Sequence, residues 1–114
     1  MFFTHNATIC QSKTMTVNVA GTGSGGTLDN IPSNATAVVL NVTATNTTSN
    51  GGFLTIYPTP ASGSNVPNIS DINWNMGNTV ANLVVVKIGN NGSINIYNAI
   101  GSADVMVDVV GYYG

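Results

Sequence analysis

The 114-residue chain contains no glutamate and no arginine. Lys13 and Lys87 are its only cations, four aspartates are its only acids, and the net charge is −2. Charged residues make up 5% of the sequence, where a soluble domain usually carries about a quarter. Two isolated lysines do not displace the counterions on which nucleic-acid binding rests. Nor do they form the basic cluster that attaches a chain to anionic lipid. Neither nucleic acid nor a membrane surface is therefore an expected partner. Cys10 is the only cysteine, which excludes an intrachain disulfide and leaves a free thiol or a bridge between chains. No apolar run reaches the ~18 residues of a membrane helix, so no membrane insertion is expected. His5 is the only histidine; no His/Cys cluster has zinc-ligand spacing, and a Ser-His-Asp set would have to recruit a residue beside the amino terminus. The opening MFFTHNATIC lacks the basic and long apolar regions of a signal peptide. The expectation is a mature or excised module, or export by another route.

What is present favours strands. Hydrophobic residues reach 43%, too many for a disordered chain. Solubility rests on Asn, Thr, Ser and Gly, which suit strands and turns better than helix surfaces. Apolar and polar residues alternate with period 2 along most of the chain. A first strand is expected near 2–9 and a second in KTMTVNVAG, followed by a glycine-rich loop over 21–34. ATAVVLNVTAT (35–45) places Val38, Leu40, Val42 and Ala44 on one face. Asn50-Gly51 then reads as a hairpin turn into FLTIYPT (53–59). A short strand at 69–74 precedes TVANLVVVKIG (79–89), whose nearly continuous apolar run reads as a central strand. Asn90-Asn91-Gly92 reads as a further hairpin turn into SINIYNAI, and Gly101-Ser102 leads into a closing strand. The expected fold is all-β, a sandwich or jelly roll of eight to nine short antiparallel strands in a single domain over 1–114.

The closing segment SADVMVDVVGYYG holds two of the four acids, Asp104 and Asp108. Four residues along a strand span about 13–14 Å. Paired glycosidase carboxylates lie about 5–9.5 Å apart. An unbent strand therefore makes the two aspartates an outward polar row, with Met106 between them. No other constellation suggests catalysis, and the expectation is no enzyme, no cofactor and no metal. Asp29 and Asp71 lack the spacing of a calcium loop. GTGSGG lacks the Lys-Ser/Thr of a phosphate loop.

ATAVVLNVTATNTT, GGFLTIYP, NTVANLVVVKIG and GSINIYNAIGSADVMVDVVGYY, in that order, resemble a β-rich module of secreted and cell-surface proteins from actinobacteria and related bacteria. The resemblance covers about residues 13–113 and leaves 1–12 as an amino-terminal strand or extension. That module usually opens with Cys-Arg and a nearby Asp-Thr-Arg; ICQSKT keeps Cys10 but neither arginine. The resemblance implies an extracellular, accessory or structural role and supplies no catalytic set.

Two non-enzymatic functions follow from the residues. In the first, the chain is a structural or adhesive surface module that forms a homo-oligomer or polymer. Low charge leaves strand edges without their usual lysine guard. An amino-terminal strand carrying Phe2, Phe3 and Ile9 would add to a neighbour's open edge, with the closing strand as acceptor. In the second, Trp74, Tyr57 and Tyr97 form a stacking platform for polysaccharide, assisted by asparagine amides; the competing reading makes these aromatics core and edge residues. Asn6, Asn34, Asn46, Asn68 and Asn91, with Asn41, begin Asn-x-Ser/Thr sequons. The 17 Asn and 23 Ser plus Thr of this chain yield about three to four such matches by chance, so they are weak glycosylation candidates.

Overall fold

The computed structural model describes residues 3–20, 31–61 and 66–114. The loop expected over 21–34 lies mostly outside these residues. Eight strands are described: β1 (Phe3–Ile9), β2 (Lys13–Asn18), β3 (Ala37–Thr45), β4 (Gly52–Pro58), β5 (Ile72–Trp74), β6 (Val80–Lys87), β7 (Ser93–Asn98) and β8 (Ala103–Tyr113). They form two four-stranded antiparallel sheets, ordered β1-β8-β3-β6 and β2-β7-β4-β5. The molecule is thus the all-β sandwich that the alternation predicts.

Alternation creates the core because each strand sends every second side chain inward. β3 is the clearest case: Val38, Leu40, Val42 and Ala44 are fully buried, and the residues between them are half-buried. β8, paired beside it in the same sheet, adds Val105, Val107 and Val109 to that inward face. The second sheet contributes Val17, Leu54, Ile56, Ile94 and Ile96 to the same cluster. Close packing of such branched side chains supplies most of the fold's stabilisation.

The connections differ from the sequence reading. All but β4–β5 cross from one sheet to the other. The turns at Asn50-Gly51 and at Asn90–Gly92 therefore exist, with Gly51, Asn91 and Gly92 at positive φ, but neither closes a hairpin. Turn chemistry sets local dihedrals; it does not decide whether the next strand pairs with the last or packs across the core from it.

β6 also departs from expectation. It pairs with β3 and lies at the edge of its sheet, although its apolar run reads as a central strand. Val84 and Val86 face the core, whereas Leu83 and Val85 turn outward and are exposed.

The amino-terminal strand closes its own sheet. β1 pairs with β8 of the same chain from Phe3↔Val109 to Ile9↔Ala103. β8 therefore lies between β1 and β3, and the acceptor edge expected along it is occupied within the chain.

Candidate interaction surface

The two outer faces of the sandwich differ. On the β2-β7-β4-β5 sheet, Thr55, Tyr57 and Asn95 point outward yet are buried. Asn95 Oδ1 accepts from Thr16 Oγ1 (2.9 Å) and Thr59 Oγ1 (2.7 Å), and Thr55 Oγ1 donates to the Ile69 carbonyl. The β4–β5 connection thus covers part of this face and satisfies its polar groups.

The outer face of the β1-β8-β3-β6 sheet has no such cover among the described residues. Register places three rows across it: Thr8, Asp104 and Thr45; then Asn6, Met106, Thr43 and Ala81; then Asp108, Asn41 and Leu83. Beyond them lie Val39 and Val85. Leu83 is 62% exposed, Val85 58% and Met106 39%. The register of β3 against β8 shifts between Val39 and Leu40, and Val110 bulges out at 41% exposure. Tyr112 and Tyr113 are also exposed at this end. Exposed aliphatic side chains grouped on one face are the usual mark of an interaction site.

The polar end of this face is fixed by Asp104. Its carboxylate accepts from Asn46 Nδ2 (2.8 Å) and from Thr8 Oγ1, linking β1, β8 and the residue after β3. These two hydrogen bonds hold the Asp104 carboxyl below the ordinary aspartate range, with Asn46 the larger influence. Hydrogen bonds to the ionised form favour it. Thr45 and Thr79 hydroxyls bond alongside at 2.8 Å. Asn6, Ala7, Thr8, Thr45, Asp104, Val105 and Met106 enclose a shallow depression of about 320 Å³. Asp104 and Asp108 occupy one face with Met106 between them, as their spacing predicts. The bulge falls after Asp108, so it does not bend the two carboxylates together.

The aromatic residues do not form one platform. Trp74 pairs opposite Gly52 on β5 and packs inward at 4% exposure; a Cβ at Gly52 would overlap its indole ring. Tyr57 and Tyr97 lie on the other side of that sheet, Tyr57 buried and Tyr97 half-buried. The sequence does not say which strand face meets the core, so it does not separate Trp74 from Tyr57 and Tyr97. Trp74 Nε1 is buried without a hydrogen-bond partner. It adjoins a second depression, about 340 Å³, lined by Gly51, Gly52, Asn73, Asn75 and Asn78.

Of the residues expected to serve self-association, Ile9 is buried in its own core. Phe2 and the side chain of Phe3 lie outside the described residues, as does the side chain of His5. The sequon residues Asn6, Asn34, Asn46, Asn68 and Asn91 are all exposed, and Asn41 is half-buried. Cys10 is exposed. Asp29 lies outside the described residues, while the Asp71 carboxylate accepts from the Ile56 backbone N–H at 2.8 Å. Among the described residues no three His, Cys, Asp or Glu side chains gather around a common point. Among the described residues no helix is long and apolar enough to cross a membrane.

Leu83 and Val85 are the surface residues that sequence reasoning missed. Their signal was present: apolar residues of both parities in VANLVVVKIG mean that some face outward, whether into a covering layer or into solvent. Compared with family models, with curated proteins and with solved structures, the chain shows no match.

Proposed function

We propose that this chain is a non-enzymatic structural or adhesive module of an extracellular surface, and that it associates with further copies of itself into a multimer or filament. One observation carries the reading: the outer face of the β1-β8-β3-β6 sheet, uncovered among the described residues, bears exposed Leu83, Val85, Met106 and Val110. A chain with a net charge of −2 opposes such contacts only weakly. Sedimentation velocity across a concentration series, with electron microscopy at the highest concentration, tests it. Growth of the weight-average mass with concentration is the expected result; a monomer at every concentration would refute it.

A second reading is an accessory module that binds polysaccharide. Its support is the depression beside Trp74, where Asn73, Asn75 and Asn78 offer amides to sugar hydroxyls. Because Trp74 is buried, this site would hold a sugar by hydrogen bonds at its rim rather than by stacking. A change in Trp74 fluorescence on adding cell-wall polysaccharide, lost in Asn75→Ala, is the expected result. No change across a glycan panel would dismiss it.

A further inference from the structure

We infer that β6 pairs antiparallel with β6 of a second copy of this chain, so that two four-stranded sheets become one continuous sheet. The inference rests on the self-association proposed above and names the edge at which two copies first meet, beside the exposed Leu83 and Val85.

The four sheet edges are not equivalent. β5 has three residues, too few for a stable ladder. β2 exposes Lys13, Thr14 and Thr16, and β1 exposes Asn6 and Thr8. Among the described strands β6 is the longest edge, with eight residues, and its outward positions are Ala81, Leu83, Val85 and Lys87. A long edge with exposed aliphatic residues is what proteins avoid unless it is paired.

The backbone is oriented for pairing. The Ile88 N–H donates to the Thr36 carbonyl at 3.0 Å, so the ladder to β3 uses even-numbered β6 positions. In an antiparallel pair the alternate positions turn their N–H and C=O groups away. Those of Ala81, Leu83, Val85 and Lys87 therefore face the open edge. Leu83 N–H is met there by Asn82 Oδ1 at 3.1 Å, while Asn82 Nδ2 donates to the Asp71 carbonyl at 3.0 Å. Pairing exchanges the Asn82 bond for a backbone acceptor on the second copy.

The sequence of β6 selects a second copy as its occupant. With a two-fold axis at Val84, Leu83 of each chain lies opposite Val85 of the other, and Lys87 opposite Ala81. Aliphatic cross-strand pairs of this kind stabilise sheets. The same register puts the two Lys87 side chains at opposite ends, six residues or about 20 Å apart, well beyond the ~8 Å screening length. Parallel pairing in register would bring them together. The odd-numbered positions of both strands meet as hydrogen-bonded pairs in this register, so every outward backbone group from Ala81 to Lys87 finds a partner.

The contact is one strand and a few side chains, smaller than the ~1,600 Å² of a standard stable interface. Association is accordingly weak and concentration-dependent. The test is sedimentation velocity of the full chain from about 10 µM to about 1 mM, with reductant present so that Cys10 does not bridge chains. Val85→Pro removes an outward N–H and is compatible with an edge strand. Leu83→Lys opposes pairing by charge and leaves the backbone intact. Circular dichroism establishes that each variant is folded. Dimerisation of the parent chain weakened about tenfold or more in both variants is expected. Amide hydrogen exchange at Val85 and Lys87 should also slow as the parent chain is concentrated. If the parent chain associates and the folded variants associate equally, the β6 edge is refuted while self-association stands. If the parent chain stays monomeric, both are refuted.

Discussion

Replacing Asn98 by alanine should destabilise the sandwich by about 2–3 kcal/mol. Asn98 ends β7 in one sheet, and its side chain is fully buried. Its Nδ2 donates to the Ile9 carbonyl at 2.8 Å, at the end of β1 in the other sheet, and to the Gly101 carbonyl at 2.9 Å, in the turn before β8. One amide thus ties together both sheets and the connection between them. Each bond contributes about 0.5–1.5 kcal/mol net, and a carbonyl left buried without a donor costs about 1–3. Removing the unpartnered Asn98 Oδ1 returns part of that. For a domain of this size the melting temperature should fall by roughly 4 °C per kcal/mol, or about 8–12 °C. Thermal unfolding followed by circular dichroism measures it directly. Asn98→Asp sharpens the test, because an ionised carboxylate would face two carbonyls and have no proton to donate. Its folded-state pKa would be raised, so the variant would gain stability as pH falls and lose it as pH rises through that value. A loss below about 0.5 kcal/mol in Asn98→Ala, the range of ordinary surface changes, would refute the bridging role.

Gly52→Ala should cost about 1–3 kcal/mol, since the added Cβ overlaps the Trp74 indole; near-ultraviolet circular dichroism and thermal unfolding would show it, and an unchanged melting temperature would contradict the packing. Trp74 fluorescence should be blue-shifted and poorly quenched by iodide, given its burial; ready quenching would place it at the surface. The Asp104 carboxyl should titrate below the ordinary value of about 3.9 in an NMR titration, because Asn46 and Thr8 stabilise its ionised form. Its contribution to stability is present above the unfolded value and is lost as pH falls through the folded one; Asp104→Asn should remove that acid dependence.

Period-2 alternation alone carried the all-β reading, the inward faces of β3 and β8, and the outward row of Asp104 and Asp108. These are legible because side-chain direction on a strand depends only on the residue's parity. The Asn50-Gly51 and Asn90–Gly92 turns were legible for the same local reason, through residues that tolerate positive φ. Their consequences were not. Whether a turn closes a hairpin or crosses to the other sheet depends on which partner buries the next strand's apolar face, and several strands here offer equivalent faces. The same limit hid the edge position of β6, since apolar residues of both parities suit a central strand as well as an uncovered one. It also hid the separation of Trp74 from Tyr57 and Tyr97 by a sheet. Sequence determined what each strand presents on its two sides; only the tertiary structure decided which side meets the core, because that choice is made by contacts between residues far apart in the chain.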